Sequence, residues 1–314
     1  MNMFAAIAHP EQDVLKSLEM AAPTNAFASR AYGAYLATQN GVPYVFEYNE
    51  GASKISFLGI LREGRLHKRL EIPSAPNCAP SHGVWEALQQ WARKEWLTEI
   101  NLLTFGSWLS TMPALGPLSH IKTRREYVLD LRPEQPFVKM RKGHKTNLSK
   151  ARRAGLVLRR SASVDDCIEH AKLIDASMSR RLERGEDVTT GANMRPLLSL
   201  LETGAGVLFQ ALYEDQVVAS NLFLLAPEGA YNHTQGANDL GFEHGAAQFV
   251  LAEAMQALRD EGRWCFNFGG TDQFGSGLEK FKTGFSKTTE VIELQAGTFG
   301  VRHRYLSALR RLIA

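Results

Sequence analysis

The chain has 314 residues, 44% hydrophobic and 22% charged, which is enough apolar material for one or two cores and too much for a disordered, collagenous or disulfide-stapled protein. Lys and Arg number 36 against 33 Asp and Glu, a net charge of +3 that by itself points neither to a nucleic-acid binder nor to an enzyme of acidic substrates. Cys78, Cys167 and Cys265 are widely separated, fit no disulfide framework or zinc knuckle, and suit a reducing cytoplasm. No basic leader opens the sequence and no apolar run reaches the roughly 18 residues of a membrane helix, so a soluble, cytoplasmic protein is expected, with contact at a membrane face left open.

The first clear elements begin at Val42. VPYVFEY, KISFLGIL and LHKRLEI read as strands separated by the turn-forming NEG and REG, an antiparallel meander. After the Pro-rich PSAPNCAP, Ser81 is the expected N-cap of a helix with the apolar stripe Val84, Trp85, Leu88, Trp91 and Ala92, and INLLTF from Ile100 follows as a strand. REYVLDL, Arg125 to Leu131, then leads into a basic helix over 139–155, stopped by Gly155. GLVLRR is a short strand. A helix from Val164 to about Leu182, with Ser163 and Asp166 as its cap pair, precedes another at Met194 to Leu201. A second meander, GVLFQALY, VVASNLFLL and AYNHTQG, repeats the order of the first. It is followed by a helix from Ala246 to Asp260 and the strand WCFNF. A short helix around Leu278 to Phe281, the strand TEVIEL and a closing helix from Val301 complete the chain. The repeated order predicts two α/β lobes, residues 1–125 and 126–314, with a cleft between them.

Charge is unevenly placed. Nine of the 36 basic residues fall between Lys139 and Arg160, a stretch without Asp or Glu, so the remainder of the chain is net acidic. On a helical wheel, Met140, His144, Leu148, Ala151 and Ala154 share one face beside Asn147, while Arg141, Lys142, Lys145, Arg152 and Arg153 spread over the other. A face of like charges without compensation suggests a polyanionic partner: phosphates, tRNA or an anionic lipid head group. His144, on the apolar face, reads as a hydrogen-bonded core histidine. Pro196 to Leu258 contains no Lys or Arg at all.

Two glycine-rich turns stand out. GANDLGFEHGAAQF presents Gly241, Gly245 and Ala246 ahead of a helix, where backbone amides and the helix dipole favour an anion, but it lacks a cation. The loop Gly269-Gly270-Thr271-Asp272 through Gly277 is no P-loop, yet it allows close backbone approach, with Lys282 on the next turn as a source of positive charge. His233, Gln235, Asp239, Glu243 and His244 are the polar groups near the meander-to-helix junction. Cys265, within an apolar strand, reads as core.

The pair RKGHKTNLSKARRAGLVL and WCFNFGGTDQFGSGLEKFKTGF resembles the FemAB-like and BioF-like acyltransferases, a tandem-lobed branch of the GCN5-related N-acetyltransferase (GNAT) superfamily. Arg141, Lys145, Asn147, Lys150, Ala151 and Gly155 fit the first family pattern, and Gly269, Gly270, Gly277, Leu278, Phe281, Lys282 and Phe285 the second. Asn267 stands where the family usually has Asp, and Ser286 where it has Gly. The resemblance implies an α/β (α+β) fold of two tandem GNAT-like lobes, each a mixed, mostly antiparallel sheet flanked by helices. It also implies transfer of an acyl or aminoacyl group from aminoacyl-tRNA, acyl-CoA or acyl carrier protein to an amine, in cell-envelope peptide or polysaccharide building. No permanently bound cofactor and no metal are expected. A tRNA- or polysaccharide-binding subunit without activity is the alternative, since no dedicated base is evident. Lys282, Glu243 and His233 are the candidate catalytic groups. Arg141, Lys145, Asn147, Gln235, Gly269, Gly270, Asp272 and Phe281 are the candidate substrate-binding groups.

Overall fold

The computed structural model describes residues 3–51, 53–65, 67–271 and 274–302. The chain divides into two compact units. The first comprises Met1–Glu126, Gly270–Phe274 and Val291–Ala314, the second Tyr127–Gly269 and Gly275–Glu290.

In the first unit, β1 (Met3–Ala8) pairs antiparallel with β2 (Val42–Glu50), which continues through β3 (Ser53–Glu63) and β4 (Lys68–Ile72) as an antiparallel meander. Helix α3 (Gly83–Lys94) carries the chain across to β5 (Glu99–Leu102), which lies parallel to β4, as a strand–helix–strand crossover requires. The stripe Val84, Trp85, Leu88 and Ala92 is buried against Phe46, Phe57 and Ile100. His82 caps α3 in place of the expected Ser81, its Nδ1 accepting from the Val84 amide at 3.3 Å. The reading from Val42 onward missed β1, α1 (Gln12–Ala21) and α2 (Arg30–Thr38), which pack onto the meander's edge. β12 (Glu290–Gly300) pairs antiparallel with β5, and β6 (Leu118–Asp130) enters this unit up to Glu126.

In the second unit, Tyr127 to Asp130 ends β6. Helix α4 (Lys142–Arg153) follows, then β7 (Val157–Ser161), α5 (Val164–Glu183) and α6 (Met194–Glu202). Strands β8 (Gly206–Tyr213), β9 (Gln216–Leu225) and β10 (Gly229–Ala237) form the second meander, with β7 antiparallel on its edge. Glu214 and Asp215, at φ 47° and 64°, make the two-residue turn between β8 and β9; positive φ at both positions matches the strand twist. After α7 (Asp239–Glu243) and α8 (Ala246–Asp260), β11 (Cys265–Thr271) returns parallel to β10, and α9 (Gly277–Lys282) follows. The core lies between α8 and the sheet, around Phe209, Phe223, Phe249, Phe266 and Phe268.

The basic helix starts at Lys142, later than expected, because Lys139 adopts φ 51° and Arg141 stays extended as the N-cap; Gly155, at φ 76°, ends it as anticipated. Ser163 caps α5 and donates to Asp166 at 2.8 Å, the anticipated pair. Gly269 and Gly270, read as a loop, continue β11. The closing helix expected from Val301 lies beyond residue 302 and so outside the described residues, as does Asp272. All three cysteines are free.

Candidate functional site

The parallel pairing of β10 with β11 covers only Gly229 with Cys265, Ala230 with Phe266 and Tyr231 with Asn267. Just past that point β10 carries a bulge. Asn232 pairs with Phe223 but Thr234 with Leu222, leaving His233 as the extra, exposed residue. The insertion shifts the pleat by one residue, so Asn232 and Gln235 fall on the same face as Asn221 of β9. The three carboxamides bond to one another. Asn221 Nδ2 donates to Asn232 Oδ1 at 3.0 Å and to Gln235 Oε1 at 3.2 Å, and Asn232 Nδ2 donates to the same Gln235 oxygen at 3.0 Å. Gln235 is thereby held by its oxygen, and its Nε2 has no acceptor among the described residues. Asn221 and Asn232 are buried, whereas Gln235 is half-buried, so the open donor sits where the cluster meets solvent.

The opposite face of the same strands is closed. His170 of α5, fully buried, bonds Ser220 through Nδ1 and Thr234 through Nε2, both at 2.9 Å, and burial lowers its pKa to about 3. Backbone crowding fixes the helix above it: a Cβ on Gly236 would stand 2.3 Å from the Leu173 carbonyl carbon.

Around α4 the second half of the site assembles. A Cβ on Gly245, at φ 70°, would come within 2.7 Å of the Asn147 carbonyl oxygen, so α4 abuts the start of α8. There the amides of Ala246, Ala247 and Gln248 have no acceptor among the described residues; the first bond of the helix is Phe249 N to Gly245 O. At its other contact, α4 meets α9. His144 Nε2 donates to the Phe281 carbonyl at 2.8 Å, its ring packs edge-on to Phe285, and burial holds its pKa below the ordinary value despite that bond, with the Arg141 charge adding to the effect. His144 is thus the core histidine that the wheel suggested. Lys282 is also buried, its Nζ 5.5 Å from the centre of the Tyr127 ring, rather than solvated on a surface turn.

The residues singled out from the sequence separate into groups. Gln235 joins the carboxamide cluster, and Gly269, at φ 75°, brings β11 to the backbone of Asn232, whose carbonyl a Cβ would meet at 2.7 Å. Asn147 lies at the α4–α8 contact and Phe281 at the α4–α9 contact, while Lys282 lies against Tyr127 of β6. Arg141 is exposed at the N-cap of α4 and Lys145 on the helix itself, Glu243 is exposed at the end of α7, and His233 is exposed at the bulge. Gly270 belongs to the first unit, where a Cβ would strike the Arg124 guanidinium, itself paired with the buried Glu126 at 2.8 Å and stacked over Phe105. Asn221, Asn232, His170 and Tyr127 were missed. Polar Asn and Ser inside the otherwise apolar VVASNLFLL were the available signal, because a buried carboxamide needs partners. Cys265 is held as the neutral thiol, burial pushing its pKa up to about 11.

Residues 138–283 match the acetyltransferase (GNAT) domain family. No curated protein sequence matches the chain significantly. Among solved structures it is similar to FemX, with a TM-score of 0.68 at 10% identity over 100% of this chain and 99% of that one. It is also similar to the C-terminal domain of a putative lysylphosphatidylglycerol synthetase from Agrobacterium fabrum, with a TM-score of 0.56 at 16% identity over 96% and 94%. A tandem GNAT protein from the clavulanic acid biosynthesis pathway superposes with a TM-score of 0.52 at 11% identity over 96% and 99%. No described helix is long and apolar enough to cross a membrane. Residues 138–283 thus match a GNAT acetyltransferase domain, and the fold of the chain as a whole is similar to that of FemX and of a tandem GNAT protein.

Proposed function

We propose that the second unit transfers an acyl or aminoacyl group from an activated ester or thioester to an amine, with Gln235 as the donor that meets the reacting carbonyl. The observation that carries this is the carboxamide cluster, which fixes the Gln235 oxygen and leaves its Nε2 hydrogens unclaimed where β10 and β11 part. Attack of the amine nitrogen on the carbonyl carbon places negative charge on the carbonyl oxygen, and a pre-oriented N–H stabilises that charge without reorganising. The bond to the leaving oxygen or sulfur then breaks, and the proton lost by the amine passes to the leaving group or to water. The unpartnered amides at the start of α8 suit an anionic portion of the donor, such as a phosphate. Lys282, buried against Tyr127, is the candidate positive group, Phe281, Asn147 and Gly269 are retained as candidate substrate-binding groups, and Arg141 and Lys145 are available to the donor's phosphates. His233 and Glu243, both exposed, are retained as candidate proton carriers at the rim. The similar structures support the reaction class, since one is named for joining lysine to phosphatidylglycerol and another for its GNAT domains.

The test is a mass-shift assay in which the chain is incubated with charged tRNA or with acyl-CoA and a panel of amines. Product with one donor class is expected. Gln235→Glu, which keeps shape but removes the donor, is expected to lower turnover by about a hundredfold, the usual cost of one oxyanion donor. Lys282→Met is expected to lower it at least about tenfold while the protein stays folded. Binding of tRNA that falls steeply with salt, with no product from any donor, would replace this reading by that of a binding subunit.

A further inference from the structure

Two basic segments far apart in sequence are neighbours in the second unit. The Arg141 amide donates to the Gly284 carbonyl at 2.8 Å, the Lys287 amide to the Val138 carbonyl at 2.9 Å, and His144 Nε2 to the Phe281 carbonyl at 2.8 Å. These contacts set Lys139, Arg141, Lys142 and Lys145 beside Lys280 and Lys287. All six are exposed and none is in an ion pair among the described residues. The arrangement runs against local stability. Cations crowd the first turn of α4, the positive end of its dipole, where an acidic residue would be favourable; the helix has no acid in that turn and no side-chain cap. Lys139 additionally holds φ 51°, a conformation costly for a side chain with a Cβ, which turns its ammonium outward while the next residue, Met140, is buried.

We infer that these adjoining segments form a docking surface for an anionic lipid bilayer. Five of the six cations are lysines, compact charges suited to a diffuse negative surface rather than to fork-like recognition of single phosphates. Among them Val138 and Leu278 are each 39% exposed, apolar area that a polyanion in water leaves wet and that the bilayer interface removes from water. The aromatic rings of the two segments are engaged internally: Phe281 packs on His144 and Phe285, and Phe285 is buried, so no ring is presented for stacking on a nucleotide base. The surface shares Arg141 and Lys145 with the acyl-transfer reading, but vesicle binding is read without turnover, so either can fail without the other.

The test is co-sedimentation of the full chain with vesicles of phosphatidylcholine alone and of phosphatidylcholine containing a minority of phosphatidylglycerol, with and without uncharged tRNA. Binding to the anionic vesicles only, weakening with salt, is expected. A juxtaposed surface predicts that Lys142→Ala/Lys145→Ala and Lys280→Ala/Lys287→Ala each weaken partitioning by about thirtyfold, at roughly fivefold per charge. Val138→Ser/Leu278→Ser is expected to weaken it by about tenfold and to leave any tRNA binding unchanged. Equal partitioning onto neutral vesicles, or loss in only one of the two lysine pairs, would overturn the surface. Tight tRNA binding that the lysine variants abolish, without vesicle binding, would assign it to RNA instead.

Discussion

His170 is a titratable group with no room to titrate. Its ring nitrogens bond the Ser220 and Thr234 hydroxyls, and full burial favours the neutral imidazole. Its folded pKa, about 3, lies below the ordinary value of 6.5, and the unfolded chain therefore binds the proton first. The stability it contributes is complete above the unfolded pKa and falls as pH drops from there toward 3, by about 1.4 kcal/mol per pH unit. Denaturant midpoints measured across that window should show this slope diminished in His170→Gln; an unchanged profile in the variant would show that other groups govern acid unfolding. The pairing was invisible in sequence, since His170, Ser220 and Thr234 are separated by long stretches and meet only because α5 lies across β9 and β10. By contrast, the role of His144 was legible, because one face of one helix decides it.

At the scale of elements, glycines set how closely helices approach the second unit's other parts. Gly236→Ala would drive a methyl group into the backbone of α5, and Gly245→Ala would combine a positive φ with a clash against α4. Each is expected to destabilise by about 1–3 kcal/mol, with Gly245→Ala also loosening hydrogen-exchange protection of α4. Equal stability of either variant in urea titration would mean that the packing is slack there. Periodicity and capping showed α5, α6 and α8 nearly to the residue, since they depend on local spacing. The start of α4 was misjudged by a few residues because the turn at Lys139 answers to Met140 being drawn into the core, a tertiary demand. The bulge at His233 was likewise hidden: a bulge is a property of two strands in register, and one strand's sequence does not contain the other's.

Across the whole molecule, each unit carries its own thiol reporter, Cys78 in the first and Cys167 and Cys265 in the second. Burial pushes the Cys78 and Cys265 thiols up to about 11, and Cys167 is buried outright, so none is a ready nucleophile near neutrality. Labelling with a thiol reagent should be slow in the native chain and accelerate with denaturant, and mapping the modified cysteine reads the opening of each unit separately; fast native labelling of Cys167 would contradict its burial. Composition and periodicity determined the α/β class, the two meanders and the basic helix, and the two glycine-containing motifs carried the resemblance to a GNAT domain that residues 138–283 match, all of which are written in local spacing and residue type. Only the tertiary structure decided that Gln235 is gripped by two buried asparagines, that Lys282 is buried, and that Lys280 and Lys287 join the basic helix. Those facts depend on strand register, a bulge and interhelical contacts between residues distant in sequence, and such contacts follow from packing the whole chain at once.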